Sequence, residues 1–539
     1  MATYLGAFPF PSQAPAIMTF DALVRVVVIL TERYRTVLKR GRRDWLREIY
    51  RSVAVYDRRA SRSMSDARLE NLEGLGIKPT QGSSEGSNQG FAIDQAIEDE
   101  GGADEEDELI LAAFESMDAV DAFRYGEKSD VHHSIIPTDN FRKLVQLMLL
   151  IAPLEEQDDL ATYFTQLTPE RLEALRRTSD CIISSFDVES SPGITYRTFD
   201  KLSSSALPHL FDGFNALFSH FLFAKDLDLS KRKASTSSVI DETPKPTPSK
   251  VSNEPPLATP GDILDLDLLS QLSFFLPPNT LFRRLRPLYS GSNHGFSMGS
   301  FEKKVFNWRA PTIILISGSI LDPDSHDPQS RIFLETLPPA RYPSSLPPSS
   351  DEETDRTVVY GAYINQPWKQ THKAPFGDPE TILFTLSPRH TVFRAIPQGT
   401  DFVSFSPSRT NSNLPGISLG TSIPARKKEL LSLGPVSLHL DDGLEFGVFT
   451  HLKTGGGSFD PSPWLSEFQD RFTITDIEVW GCGGDEEAER QRAAWKWEEA
   501  EAERRRRINL GGTGDIDADK ELLRMAGLIG GDRSGGSMG

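Results

Sequence analysis

Residues Gly295–Gly299 read GFSMG, the spacing of a serine-hydrolase elbow with Ser297 as its nucleophile. That chemistry needs a strand running into the turn and a helix leaving it, so that the hydroxyl stands out beside a base. The residues ahead of it, YSGSNH, read as a loop, and His372, His390, His439 and His451 lie in no recognisable triad context. A serine-dependent hydrolase acting through Ser297 is therefore the alternative function.

A second candidate lies in SFDVESSPGITYRTFDKL, which has the outline of a calcium-binding EF-hand loop. With Asp187 in first place, Glu189 and Ser191 fall where ligands belong, and Ile194 falls at the apolar position. Pro192 replaces the glycine of the sharp turn, and Thr198 stands where a bidentate Glu is needed. The expectation is a degenerate EF-hand-like helical junction that holds no calcium. There is no HExxH, no CxxC pair and no Walker-type Gly-Lys-Ser/Thr, and KTGGG at 453–457 has the wrong order for a phosphate loop. The two cysteines, Cys181 and Cys482, have no metal-ligand spacing, so no metal and no cofactor is expected. The acid pair Asp441-Asp442 reads as solvated.

The remaining chemistry is recognition. Residues 485–510 combine good helix formers with acids leading and bases trailing, the order that complements a helix dipole. At ~100° per residue, Trp495 and Trp497 stand roughly 200° apart, so one docking seam cannot cover both. The block Arg504, Arg505, Arg506 and Arg507 adds a positive patch able to steer an acidic partner surface. These six residues are the candidate partner-binding site. The competing reading is a solvated charged helix with one tryptophan tucked against a neighbouring sheet.

The elements that would position these groups fall into two folded regions. Residues 1–225 read as α-helical, beginning with one helix over 19–57. It places Leu23, Val27, Leu30, Tyr34 and Val37 on one face and a series of arginines on the other. Further helices are expected at 109–123, at 141–151 with Asp139 as cap, and at 169–177, 196–203 and 207–223. An acidic stretch over 60–107 buries too little apolar surface to offset its ordering entropy and reads as a disordered insertion. Residues 226–260 are a Ser/Thr/Pro/Lys-rich linker.

From 261 to 484 the pattern changes to short strands at 311–317, 381–386, 391–396, 436–440 and 472–481, the second and third forming a hairpin. Stretches 319–357 and 398–435 read as long surface insertions, and 511–539 as a glycine-rich flexible tail. The fold class is α+β. A net charge of −19 argues against general affinity for nucleic acid. The apolar runs at 26–30 and 147–152 are too short to span a bilayer, and the chain opens on no secretory signal. The expected location is the cytoplasm.

Six ordered blocks carry a resemblance: LYSGSNHGFSMGSF, APTIILI, VYGAYINQPWK, FGDPETILFTL, LHLDDGLEFG and FTITDIEVWG. Together they resemble the TLDc family. FPFPSQAP, VVVILTERYRTVLKRGRRDW, ITYRTFDKL and WKWEEAEAERRRRINL narrow this to the fungal restriction of telomere capping protein 5 family. The resemblance implies a β-sandwich with flanking helices and no catalytic activity of its own. It also implies a role with the vacuolar proton ATPase, peripheral association at the vacuole membrane, a link to stress response and an indirect effect on telomere capping. Members of the family can begin Met-Gly with a myristoylation signal. This chain begins Met1-Ala2, which implies either a truncated start or a protein without the lipid anchor.

Overall fold

A computed structural model describes residues 1–56, 134–222, 255–484 and 487–497, apart from short breaks at 9–13, 37–41, 156–157, 159–166, 187–192, 278–279, 322–326, 347–356, 372–373, 408–413, 425–430 and 494–496. The expected insertion at 60–107, the helix at 109–123, most of the linker, the tail, Val37 and the loop positions Asp187, Glu189, Ser191 and Pro192 lie outside the described residues.

The first helix is shorter than its periodicity suggests. It covers Phe20–Leu30, capped by Thr19, and is followed by a 3-10 helix at Arg33–Thr36 and a separate α-helix at Arg42–Val53. The Thr31 hydroxyl donates back to the Val27 carbonyl at 2.6 Å, and Glu32 follows at φ 51°, a conformation that ends an α-helix. Its buried stripe is Ala22, Val26, Ile29 and Leu30 with Val27, while Leu23 is 40% exposed. Leu23 is thus corrected from the core face to the outer face. Part of the basic face is engaged: Arg25 donates to the Gly6 carbonyl and Arg33 to the Ser219 hydroxyl.

Strands β1 (Val55–Tyr56), β2 (Ser134–Ile136) and β3 (Ile194–Thr195) form a small antiparallel sheet. β2 and β3 each lead into a helix, Thr138–Ile151 and Tyr196–Ser205, and pair through the fully buried Ile136 and Ile194. This is the paired geometry that the EF-hand-like reading calls for. A Cβ on Gly193 would meet the Ile136 carbonyl oxygen at 2.7 Å, so the two strands close only over a glycine. Thr195 caps the second helix, and the Thr198 hydroxyl lies 3.0 Å from that of Thr195. The first of these helices begins behind Pro137 with no side-chain cap; Asp139 pairs instead with Arg142. β1 pairs with β2 through Val55 and Ile135, so Tyr56 and Ser134 lie side by side.

The C-terminal region is one ten-stranded antiparallel sheet in the order β8-β7-β6-β5-β13-β12-β11-β10-β9, with β4 paired to β13. Its strands are β4 (Arg286–Ser290), β5 (Thr312–Ile320), β6 (Thr357–Ile364), β7 (Ile382–Ser387), β8 (Thr391–Arg394), β9 (Val403–Ser406), β10 (Gly416–Leu419), β11 (Val436–Leu440), β12 (Phe446–His451) and β13 (Phe468–Gly481). The sheet folds so that its halves face one another: Tyr360 of β6 stacks on Phe449 of β12 with ring centroids 4.6 Å apart. That supplies the sandwich core, and the class is α+β.

The expected β7–β8 hairpin is present. β4, β6, β9, β10 and β12 escape the sequence reading, as does the helix Pro328–Thr336. Two of them lie inside the stretch read as a 398–435 surface insertion. Val403, Phe405, Ile417 and Leu419 alternate with serines and point into the core, a period-two pattern obscured by flanking Pro, Asn and Ser.

The helical region packs on the edge of this sheet. The His390 backbone N–H donates to the Cys181 carbonyl at 2.9 Å, and the Ser185 hydroxyl donates to the His390 carbonyl. Arg283 grips both oxygens of buried Asp158, at 2.8 and 2.9 Å, and Arg171 lies 3.6 Å from buried Asp267. Phe274 joins the helical core directly.

Candidate functional site

Beyond β13, Gly483 and Gly484 adopt φ of 110° and 67°, which turns the chain into a helix that only glycine could enter this way. The Gly484 N–H donates to the Arg284 carbonyl at 2.7 Å. Residues 487–493 are helical; Ala488 is buried, and the Gln491 side-chain oxygen accepts from the Arg309 backbone N–H at 3.3 Å. The root of the helix is therefore docked. Trp497 is the last described residue of this segment. It is 63% exposed. Trp495 and the block Arg504, Arg505, Arg506 and Arg507 lie outside the described residues.

An exposed indole costs free energy in water, and aromatic side chains concentrate binding energy when a partner covers them. A second apolar surface, missed in the sequence reading, is formed by Phe20, Leu23 and Val24 of the helix Phe20–Leu30 and by Ile17 and Met18 just before it, all of them exposed. The available signal was that FDALVRVVVIL is apolar on more than one face.

Among the described residues, no histidine or carboxylate forms a hydrogen bond with Ser297. A strand does run towards the motif, since β4 covers Arg286–Ser290; that corrects the reading of YSGSNH as loop throughout. A helical turn, Gly291–His294, then intervenes. Ser297 is the N-cap of helix Met298–Val305, and its Oγ accepts the Ser300 N–H at 3.1 Å. The nearby His294 Nδ1 accepts the Ser290 N–H at 3.2 Å, so that nitrogen is committed to the turn. A Cβ on Gly299 would meet nothing within 4 Å, whereas an elbow uses its glycines to relieve crowding. GFSMG is thus a capping sequence in this fold.

Ser297→Ala should lower stability by about 1 kcal/mol, the usual cost of a lost cap, and leave biological function unchanged. Complementation of a deletion strain, with protein abundance measured alongside, checks this. Loss of function at normal abundance would reinstate the nucleophile.

The other histidines are built into the sheet. His390 and His439 are buried, and His439 Nδ1 lies 2.6 Å from Ser418 Oγ in the facing register position of β10. That pair is closed off on both members, Ser418 being as buried as His439. His451 Nδ1 reaches the Ser466 carbonyl at 3.1 Å, and His372 lies outside the described residues. Asp441 is not merely solvated: it accepts the Gly443, Glu445 and Phe446 N–H groups and so folds the β11–β12 turn. No described helix is long and apolar enough to cross a membrane.

Residues 257–483 match the TLDc domain family. The whole chain is 56% identical to "Restriction of telomere capping protein 5" of Leptosphaeria maculans and covers 88% of that protein. It is 56% identical to the protein of the same name from Pyrenophora tritici-repentis, covering 88% of it, and 46% identical to that from Colletotrichum graminicola, covering 87%. In both cases the whole of this chain is aligned. With a TLDc domain on its ten-stranded sheet and this likeness along its full length, the chain belongs to the fungal restriction of telomere capping protein 5 family.

Proposed function

We propose that the protein is a non-enzymatic TLDc-family regulator that works by binding the vacuolar proton ATPase. It acts from the cytoplasm at the vacuole membrane, and its connections to telomere capping and stress response are indirect consequences. The observation that carries this reading is the C-terminal helix, docked at Ala488 and Gln491 yet presenting Trp497 to solvent. A docked root fixes the direction of the helix, so the exposed indole is presented with little conformational entropy left to lose on binding. Trp495 and Arg504 to Arg507 belong to the same proposed surface, the arginines steering it towards an acidic partner face.

The test is capture of purified proton ATPase by the full chain, by Trp497→Ala and by the chain lacking 485–539. Trp497→Ala should weaken capture roughly 30-fold, the ~2 kcal/mol of an aromatic hot spot, with its unfolding midpoint unchanged. Undiminished capture by both altered chains would remove the helix from the proposal. Failure of the unaltered chain to bind the ATPase would remove the partner.

A further inference from the structure

Strand β13 changes phase part-way along. Phe468, Phe472 and Ile474 point into the sandwich core, but beyond a register shift between Ile474 and Asp476 the core residues are Ile477 and Val479. The extra residue at this β-bulge is Thr475, and it turns Asp476 and Glu478 onto the outer face of the sheet. Both carboxylates are nevertheless buried, at 6% and 2% exposure, under residues 261–264 and the turn at Gly291.

The two are treated very differently. Glu478 is saturated: Oε1 accepts the Asp262 and Ile263 N–H groups at 2.5 and 2.9 Å, and Oε2 accepts the Leu264 N–H at 3.1 Å and the Trp480 indole N–H at 2.9 Å. Asp476 is half satisfied. Its Oδ1 accepts the Ser292 and Ile477 N–H groups at 3.1 and 2.8 Å, while Oδ2 is buried with no hydrogen-bond partner. Asp262 closes the group from the solvent side, its Oδ2 accepting the Ser292 hydroxyl at 2.5 Å. One oxygen from each of the three carboxylates lies within 4.8 Å of the others. Among the described residues no lysine or arginine pairs with any of them. Burial pushes the Asp476 carboxyl above the usual carboxylate range, which adds to the cost of leaving its charge uncompensated.

We propose that Asp262 and Asp476, together with the Ser292 hydroxyl, bind a hard divalent cation of the magnesium or calcium class. An unpartnered buried carboxylate oxygen beside a second carboxylate and a hydroxyl is an all-oxygen donor set, which selects such ions over soft metals. Glu478, its own lone pairs taken by four donors, contributes charge rather than a bond. Few protein ligands and one open side leave room for several waters, the coordination magnesium keeps when one or two carboxylates hold it. The cation would clamp residues 261–264, where the chain enters the TLDc domain, onto β13. The competing arrangement is a single proton shared between Asp262 and Asp476.

Terbium, a luminescent stand-in for calcium, provides the probe, because the Trp480 indole nitrogen lies 2.9 Å from Glu478 Oε2 and can sensitise it. The full-length protein should give saturable terbium emission that calcium or magnesium displaces. Asp262→Ala, at an exposed position, and Asp476→Asn should each weaken terbium binding about 10–100-fold. Magnesium or calcium should raise the unfolding temperature of the unaltered protein and not that of Asp262→Ala. Terbium binding unchanged in both variants, emission that neither ion displaces, or a thermal shift that Asp262→Ala retains would each overturn the site. So would the absence of any cation-dependent shift, the outcome of a shared proton.

Discussion

Lowering the pH from 7 to 4.5 should cost the protein about 5 kcal/mol through two imidazoles alone. Burial pushes both His390 and His439 down to about 4. In the unfolded chain an imidazole takes up its proton near 6.5, whereas in the folded protein it waits until about 4. The stabilisation is therefore complete above pH 6.5 and is lost progressively as the pH falls to 4. Asp267 works the other way. Burial first, and then the nearby Asp265, push its carboxyl up to about 6, so the folded state gains a proton that the unfolded state does not take until lower pH. That returns about 2 kcal/mol over the same interval. Urea unfolding at the two pH values checks the balance. The double variant His390→Asn, His439→Asn keeps an acceptor near each Nδ1 position and should lose about 5 kcal/mol less than the unaltered protein. An identical pH dependence in the two proteins would show that these imidazoles do not govern acid stability.

His390 brings one of these two effects to the seam between the helical region and the sheet. Its Nδ1 lies 3.2 Å from the Gln271 side-chain nitrogen, and its backbone holds the helical region through Cys181 and Ser185. Charging that ring would strain the seam between the two regions, while charging His439 acts within the sheet itself.

Asp470→Ala should destabilise the protein by about 4 kcal/mol, the other large effect expected of a single site. Asp470 is fully buried on β13 and accepts four hydrogen bonds. They come from the Ser344 hydroxyl at 2.6 Å, the Ser345 N–H at 2.8 Å, the Ser345 hydroxyl at 2.6 Å and the Tyr360 hydroxyl at 2.6 Å. Removing the carboxylate strands the Tyr360 hydroxyl in the core beneath Phe449 and releases the 344–345 loop at the same time. The estimate rests on the cost of orphaned buried donors rather than on the net worth of each bond. Denaturant unfolding of Asp470→Ala beside Asp470→Asn, which keeps the volume and one acceptor, gives the measure. A loss below about 1 kcal/mol for the alanine variant would mean that water replaces the carboxylate.

Much of the architecture was readable from short-range pattern. The runs at 312–320, 382–387, 391–394, 436–440 and 468–481 betray themselves as strands because their side chains are buried on both faces or alternate with period two. The helices read at 169–177 and 196–203 are present and run on to Ile183 and Ser205. The α+β class and the TLDc blocks follow from such local signals, and so does the charged character of the C-terminal helix.

What the sequence could not settle depends on residues distant along the chain. Whether Ser297 caps a helix or attacks a carbonyl turns on whether a base meets its hydroxyl, and its observed partner is the Ser300 N–H. Leu23 belongs to an apolar repeat, but the second apolar stripe of the same helix won the core, leaving Leu23 exposed. The phase slip around Thr475 is visible in FTITDIEVW, where the apolar residues shift from even to odd positions. Its consequence is not visible there. Asp262 and Glu478 stand 216 residues apart, and only the closing of residues 261–264 over β13 brings their carboxylates beside Asp476. Periodicity fixes which way a side chain points relative to its own strand or helix. Which groups it then meets is decided by packing between elements, and there the chemistry of this protein was determined.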